Sequence, residues 1–279
     1  MIKRILVALD VDSDTPTATK YAIDIAKRSG ARLTGLAVVD MGGIESTSRG
    51  GGIGSMYYME KLREKLTEET RQKARSLLES FRRTVDAAEC EHVETVAEGV
   101  PFQRIVEDMK YHDLLVIGKD PHFFYAHPKQ STKTLAHVIE STIGPTLVIP
   151  EKHRPIRKVL FATDGGNPSA RALRRFIHLA PFGPDIEMTV LHVDDDEPTD
   201  ADLYLTLAKD YLSAHGFTAK VLRMQERDVD ACILSQAKNL GADLIIAGAK
   251  TKRSLRSLHL GKSTENLLKG APVAVFIDH

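Results

Sequence analysis

The tetrapeptide Gly261-Lys262-Ser263-Thr264 holds the densest phosphate-binding chemistry in the chain. Glycine lets backbone N–H groups approach an anion, lysine supplies a charge, and two hydroxyls add donors. At the start of a helix these residues join the unpaired N–H groups and partial positive charge of the helix end. The preceding loop adds Lys250, Lys252, Arg253, Arg256 and His259, so a phosphate there would meet cations on several sides. The plainer reading is a solvated basic loop with Thr264 capping its helix and Glu265 in the first turn. A Walker loop is excluded. That motif needs a glycine where Arg256 stands, and a strand ending directly at the loop.

Two carboxylates share a second pattern. Asp10 and Asp164 each follow an apolar run, where a carboxylate can face a ligand or shape the turn into a helix. Asp164-Gly165-Gly166 is turn chemistry on either reading. His122 and His127 with Asp120 raise a metal reading, but their spacing has no fixed geometry and a third ligand is not evident. No metal is expected. The ordinary reading is a loop whose aromatics Phe123, Phe124 and Tyr125 cover a cleft or meet the other half of the chain. No Ser/His/Asp set, carboxylate pair or arginine clamp stands at positions that would support hydrolysis or phosphoryl transfer.

The elements that must position these residues occur twice. Residues 2–10 read Ile-Lys-Arg-Ile-Leu-Val-Ala-Leu-Asp, and residues 156–164 read Ile-Arg-Lys-Val-Leu-Phe-Ala-Thr-Asp. Helical patterns follow, Thr17 to Ser29 and Ser169 to Leu179, with apolar residues on one face. Next come strands Leu33–Val39 and Met188–Val193, each ending in Val-Asp, then Leu114–Ile117 before Gly118 and Leu244–Ala247 before Gly248. Both halves close on proline and a β-branched run, Pro145–Ile149 and Pro272–Ile277. A fixed order of elements repeated once predicts two domains, 1–151 and 155–279, joined by the charged linker Glu151–Pro155. The first carries an insertion within 41–90 that includes the Gly-rich segment Gly50–Gly54 and a long helix, Met59–Val85, expected to lie on its own sheet.

Strands rich in Val, Ile and Leu that alternate with helices predict parallel sheets covered on both faces. The expected fold class is α/β: two tandem open, five-stranded, doubly wound, Rossmann-like domains. Ligands in such sheets sit beyond the carboxyl ends of the strands, at the switch point in strand order. Asp164, Val193 and Gly248 fall at such ends, as do Asp10, Val39 and Gly118.

These strand ends, with the closing segment Gly261-Lys-Ser-Thr-Glu-Asn-Leu-Leu-Lys-Gly-Ala-Pro-Val-Ala-Val-Phe-Ile277, resemble the universal stress protein family over the whole chain, taken twice. The resemblance implies the adenine-nucleotide alpha hydrolase-like version of this fold, pairing of domains through their last strands, and a role in stress survival. Some members bind ATP through Gly, two residues, Gly, nine residues, then Gly and Ser or Thr. Here Gly248 and Gly261 match that spacing, while Thr251 replaces the second glycine and Lys262 the hydroxyl. In the first half Gly118 matches, Pro121 and Ser131 replace the other glycines, and Thr132 fills the hydroxyl position. The resemblance therefore assigns ATP or a related adenine nucleotide to Asp164, Val193, Gly248, Gly261, Lys262, Ser263 and Thr264, with a more degenerate site in the first half.

Composition narrows the partners. Among 279 residues, 38 basic and 38 acidic side chains cancel, so no global field favours nucleic acid or an anionic membrane. The N-terminal apolar run is shorter than the ~7–15 residues of a signal-peptide core, and none approaches the ~20 residues of a membrane span. A soluble, cytoplasmic protein is expected. Cys90 and Cys232 lack metal or redox spacing and read as packed thiols. Three functions stay open: a stress-associated protein binding a small anionic ligand, a slow nucleotide hydrolase, and an interaction protein with empty clefts. The last strands can pair within one chain, and a homodimer of chains is also compatible.

Overall fold

The computed structural model describes residues 1–11, 15–47, 56–123, 134–194, 200–249, 251–254 and 257–279, with the backbone alone at 46–47, 56, 251–254 and 257–260. In the first half, β1 (Arg4–Leu9), α1 (Thr15–Ser29) and β2 (Arg32–Asp40) lead into α2 (Met41–Thr47) and the long α3 (Met56–Ala87). Then follow β3 (His92–Gly99), α4 (Pro101–Met109), β4 (Leu114–Gly118), α5 (Thr134–Ser141) and β5 (Thr146–Ile149). The second half runs β6 (Lys158–Thr163), α6 (Asn167–Leu179), β7 (Glu187–Asp194), α7 (Ala201–Ala214), β8 (Ala219–Gln225), α8 (Val229–Asn239) and β9 (Leu244–Gly248). It closes with β10 (Thr251–Ser254), β11 (Ser257–Leu260), α9 (Lys262–Gly270) and β12 (Ala274–Asp278).

Ten strands form one sheet in the order β3-β2-β1-β4-β5-β12-β9-β6-β7-β8. Pairing is parallel within each half and antiparallel at the seam, where Val148 faces Val275 and Leu147 faces Phe276. The inner strands are apolar because both faces are covered: β4, β5 and β12 are buried at every residue. The edge strands β3 and β8 alternate between exposed and half-buried positions. Their polar alternation (His-Val-Glu-Thr-Val-Ala-Glu-Gly in β3) suits an edge that water reaches.

The repeat extends to single hydrogen bonds. The Asp113 carboxylate accepts from the N–H groups of Lys3 (2.7 Å) and Arg4 (3.0 Å), and Asp243 accepts from Arg157 and Lys158 (both 3.0 Å). Each aspartate precedes the fourth strand of its half and ties it to the start of the first.

Helix α3 lies on its own sheet as expected. Its buried stripe is Leu66, Thr70, Ala74, Leu78, Phe81 and Val85, a spacing of three and four. The Phe81 ring rests on Gly35 of β2, whose missing side chain makes room for it. Leu62, expected on the apolar face, is instead exposed. The Gly-rich segment 50–54 lies outside the described residues. Among the described residues, no helix is long and apolar enough to cross a membrane. Burial pushes both cysteine thiols up, which suits inert packed side chains.

His112 supplies a pH test of the first half. Its Nδ1 faces the Asp108 carbonyl at 2.7 Å and must donate, so Nε2 accepts from the buried Thr34 hydroxyl at 2.9 Å. Burial lowers its pKa below the ordinary histidine value, because the cation would lose water, and this outweighs the Asp108 carbonyl, which favours the protonated ring. A lowered folded-state pKa means the unfolded chain takes up the proton first. The stabilisation is therefore complete above about pH 6.5 and declines as the pH falls from there toward the folded value. We expect His112→Asn to cost stability at pH 7.5, and the gap from the parent chain to narrow at pH 5.5. Urea unfolding at both pH values measures this.

Candidate functional site

The second half carries a cleft at its switch point, where β6 is flanked by β7 on one side and β9 on the other. Its cavity is ≈ 360 Å³. The strand ends give Ala162, Thr163, Asp164, Leu191, His192, Val193, Ala247 and Gly248. Three helix starts close round them: Pro168 and Ser169 from α6, Val229, Asp230 and Ile233 from α8, and Ser263, Thr264 and Leu267 from α9.

Asp164 shapes the entry to α6 and also lines the cavity. Its Oδ1 accepts from the Gly166 N–H and the Ser169 hydroxyl, both at 2.9 Å, while the side chain stays exposed. Gly165 between them has φ +74°, and the Tyr204 ring from α7 packs where a side chain would stand. Gly248 answers to the same constraint. The backbone of Pro168 and Ser169 sits against the space its Cβ would fill, so the first turn of α6 can close over β9 only at a glycine.

Of the three helix starts, α6 and α9 have glycine N-caps and no side-chain cap, and Pro168 removes one N–H group from the start of α6. Asp228 caps α8 by accepting from the Ala231 N–H at 3.0 Å. Gly261 is the N-cap of α9, and no side chain caps that helix. This corrects the expectation that Thr264 is the cap: Thr264 is buried and turned into the cleft, three residues into the helix. Ser263 joins it there, while Lys262 projects to solvent at the rim and Gly261 backs the helix start without lining the cavity.

The expected basic loop before α9 is a β-hairpin. Thr251 pairs with Leu260 and Ser254 with Ser257, an antiparallel ribbon separate from the main sheet. The alternation of Leu with polar residues in Ser-Leu-His-Leu carried that signal. The side chains of Lys252, Arg253 and His259, like Lys250 and Arg256, lie outside the described residues.

Of the seven expected ligand residues, Asp164, Val193, Gly248, Ser263 and Thr264 meet in one cavity. Four polar residues there were not anticipated: Thr163, Ser169, His192 and Asp230. His192 is 1% exposed, with Nδ1 3.0 Å from the Thr163 carbonyl and Nε2 3.5 Å from Asp194 Oδ1. Asp194 in turn takes the Arg223 Nε–H at 2.6 Å, and Arg223 reaches Asp202 at 3.0 Å. A histidine inside an otherwise apolar strand, where the first half has Val38, was the available signal.

The first half holds the same aspartate device in another state. The Thr15 hydroxyl donates to Asp10 Oδ1 at 2.7 Å, as Ser169 does to Asp164. Asp10, however, is 1% exposed, and its Oδ2 accepts from the backbone N–H of His122 at 3.2 Å. Pro121 is buried and Phe123 fully so. The segment after β4 therefore folds back over the strand end that bears Asp10, and Phe123 enters the core beside it. His127, Phe124, Tyr125, Ser131 and Thr132 lie outside the described residues. Among the described residues, no cluster of His, Cys, Asp and Glu could hold a metal ion.

Gly248→Ala is the sharpest test of this geometry. The added methyl meets backbone rather than a movable side chain, so we expect a loss of about 1–3 kcal/mol or more by urea unfolding. Gly42→Ala, where an added Cβ meets only ordinary van der Waals contacts at 3.5–3.6 Å, is the control for substituting a glycine whose φ any residue can adopt.

Comparison with known proteins agrees with this architecture. The sequence model of the universal stress protein family matches residues 1–150 and again 155–279. Universal stress protein Slr1230 of Synechocystis sp. is 25% identical over 98% of this chain and 99% of its own length. Among solved structures, a universal stress protein from Archaeoglobus fulgidus superposes with TM-score 0.72 at 19% identity, over 99% of this chain and 95% of that one. A functionally unknown protein from Pseudomonas aeruginosa PAO1 gives 0.63 at 17% identity, over 99% and 92%. These structural likenesses establish the fold. Since the family match spans nearly every residue in two consecutive copies, the chain belongs to the universal stress protein family in tandem form.

Proposed function

We propose that this chain is a stress-associated ligand-binding protein of two domains, 1–151 and 155–279, and that only the second takes up a small anionic ligand, an adenine nucleotide fitting best. The observation that carries this reading is the chemical division of the second-half cleft. One part of the lining is the start of α9, uncapped by side chains, which brings Ser263 and Thr264 to the cavity next to the exposed Lys262. This part suits phosphate oxygens, which take backbone N–H groups at a helix start. The rest of the lining includes apolar Ala162, Val193 and Ile233 and the carboxylate of Asp164, while Asp230 of α8 is held to α9 by the Asn266 side chain at 3.0 Å. A planar base can cover the apolar residues while ribose hydroxyls donate to a carboxylate. The cavity lies near the lower end of the ~300–1,000 Å³ range of small-molecule sites, enough for a nucleoside with its phosphates at the rim.

Binding rather than turnover follows from the same inventory. A site built for hydrolysis needs a base aligned on a water and cations on the leaving phosphate. The groups beside the strand ends are instead engaged in holding the cleft: Ser169 bonds Asp164, and His192 lies between Thr163 and Asp194. The last strands already pair within the chain, so the reading requires no second copy.

The test begins with freshly purified protein, denatured and searched by mass spectrometry for a released small molecule, followed by calorimetric titration of ATP into intact chain. We expect one equivalent per chain. Thr264→Val, which keeps the shape and removes one charge-assisted hydrogen bond of about 1.5–3 kcal/mol, should weaken ATP about tenfold or more. Protein that releases nothing and ignores ATP would sink the proposal, as would affinity indifferent to Thr264.

A further inference from the structure

Antiparallel pairing at the seam places the carboxyl ends of the two half-sheets on opposite edges of the ten-stranded sheet. The last helix of each half returns from its own cleft edge to the start of its last strand. That start lies on the edge where the other half's strands end. Helix α9 has nine residues and rises about 13 Å. Its first turn lines the second-half cleft, and its last turn arrives at the carboxyl edge of the first half.

A first-half side chain is waiting there. Lys119, the residue directly after β4, donates from Nζ to the carbonyl of Ala271, the C-cap of α9, at 3.2 Å. The lysine is half-buried and Ala271 is buried. A cation within the last turn is favourable to a helix, and a partly desolvated one more so. Three residues further on, the His122 N–H bonds the Asp10 carboxylate and Phe123 is fully buried. The segment Lys119–Phe123 is therefore anchored in the first half at one end and holds α9 at the other. The reciprocal contact is also present: β11, leading into α9, runs beside α5 of the first half.

We propose that the first half serves as a positioning element for the second-half cleft, with Lys119 as the positioning residue that sets the end of α9. The route is contiguous, from Asp10 through His122 and Lys119 to Ala271, along α9 to Thr264 in the cavity. It rests on the proposed nucleotide site only for the ligand arm of its test.

The experiment compares the parent chain with Lys119→Met and Lys119→Arg, all full length. Amide hydrogen exchange is read across α9 (Lys262–Gly270), with α6 (Asn167–Leu179) as the internal reference. Without ligand, K119M should exchange about two- to fivefold faster in α9 and at parental rate in α6, and K119R should restore protection. ATP should bind K119M more weakly by a similar factor, with K119R again closer to parent. Unchanged α9 exchange overturns the proposal, and so does an equal rise in α6, which would mean general loosening. The exchange arm needs no ligand. If α9 responds as expected and no variant binds ATP, the nucleotide reading fails while the positioning role of Lys119 stands.

Discussion

The pairing of β5 with β12 is the constraint from which the rest of the molecule follows. A five-stranded parallel sheet whose last strand is buried at every residue cannot leave that strand at an open edge. Each half here uses the other as its cover, with Leu147, Val148, Val275 and Phe276 meeting across four apolar positions. Phe276 also packs edge-on against Phe176 of α6, at 5.3 Å between centroids, so the seam and the helix that shapes the second cleft share one core. Because the pairing is antiparallel, the two clefts open at opposite edges. That single geometrical fact makes α9 a strut between them.

The two halves also show how a duplicated site diverges without disturbing its frame. The Asp–hydroxyl bond at the entry to the first helix persists in both, as do the aspartates that tie the fourth strand to the first. Besides the insertion between β2 and β3, the halves diverge beside the clefts in the segment after the fourth strand. In the first half a proline and a phenylalanine turn that loop inward, so the strand-end carboxylate is satisfied by the chain's own backbone. In the second half the loop is drawn out into a hairpin and the carboxylate is left exposed beside a cavity. A carboxylate buried and satisfied by its own protein gains nothing from a ligand, since the desolvation it would offset has already been met.

Much of this was legible in the sequence, for physical reasons that differ by element. The central strands announced themselves because burial on both faces leaves them almost wholly apolar, and a repeat of the whole order confirmed each reading with its partner. The edge strands β3 and β8 were not located, since one-sided exposure makes Glu94, Glu98, Lys220 and Arg223 as common there as in a loop. The hairpin was read as a basic loop because its charges outweighed a short alternation. Of the seven expected ligand residues, Asp164, Val193 and Gly248 reach one cavity because topology sets strand-end positions, and Ser263 and Thr264 reach it through the start of α9. The one local signal for His192 is its replacement of Val38 in the repeat, and the strand pattern alone does not say whether such a histidine faces the cleft or the core. The cleft's polarity belongs to a register between strands.

The residues that look most like a ligand motif are not those that decide whether a ligand binds. Gly248 is required by the backbone of Pro168 and Ser169, and Gly165 by Tyr204. Both would be kept by a chain that had lost its ligand, because replacing either disturbs the packing of a helix on the sheet. Asp164 is likewise needed for the turn into α6, whatever its exposed face meets. What separates a working cleft from a relic is instead the set of groups with no structural duty toward the fold. In the second half these include the start of α9, left without a side-chain cap, and Thr264, which lines the cavity and does not cap its helix. Thr264 lines this cavity at a helix start that no side chain caps and whose first residues, unlike the proline-led start of α6, all keep their N–H groups.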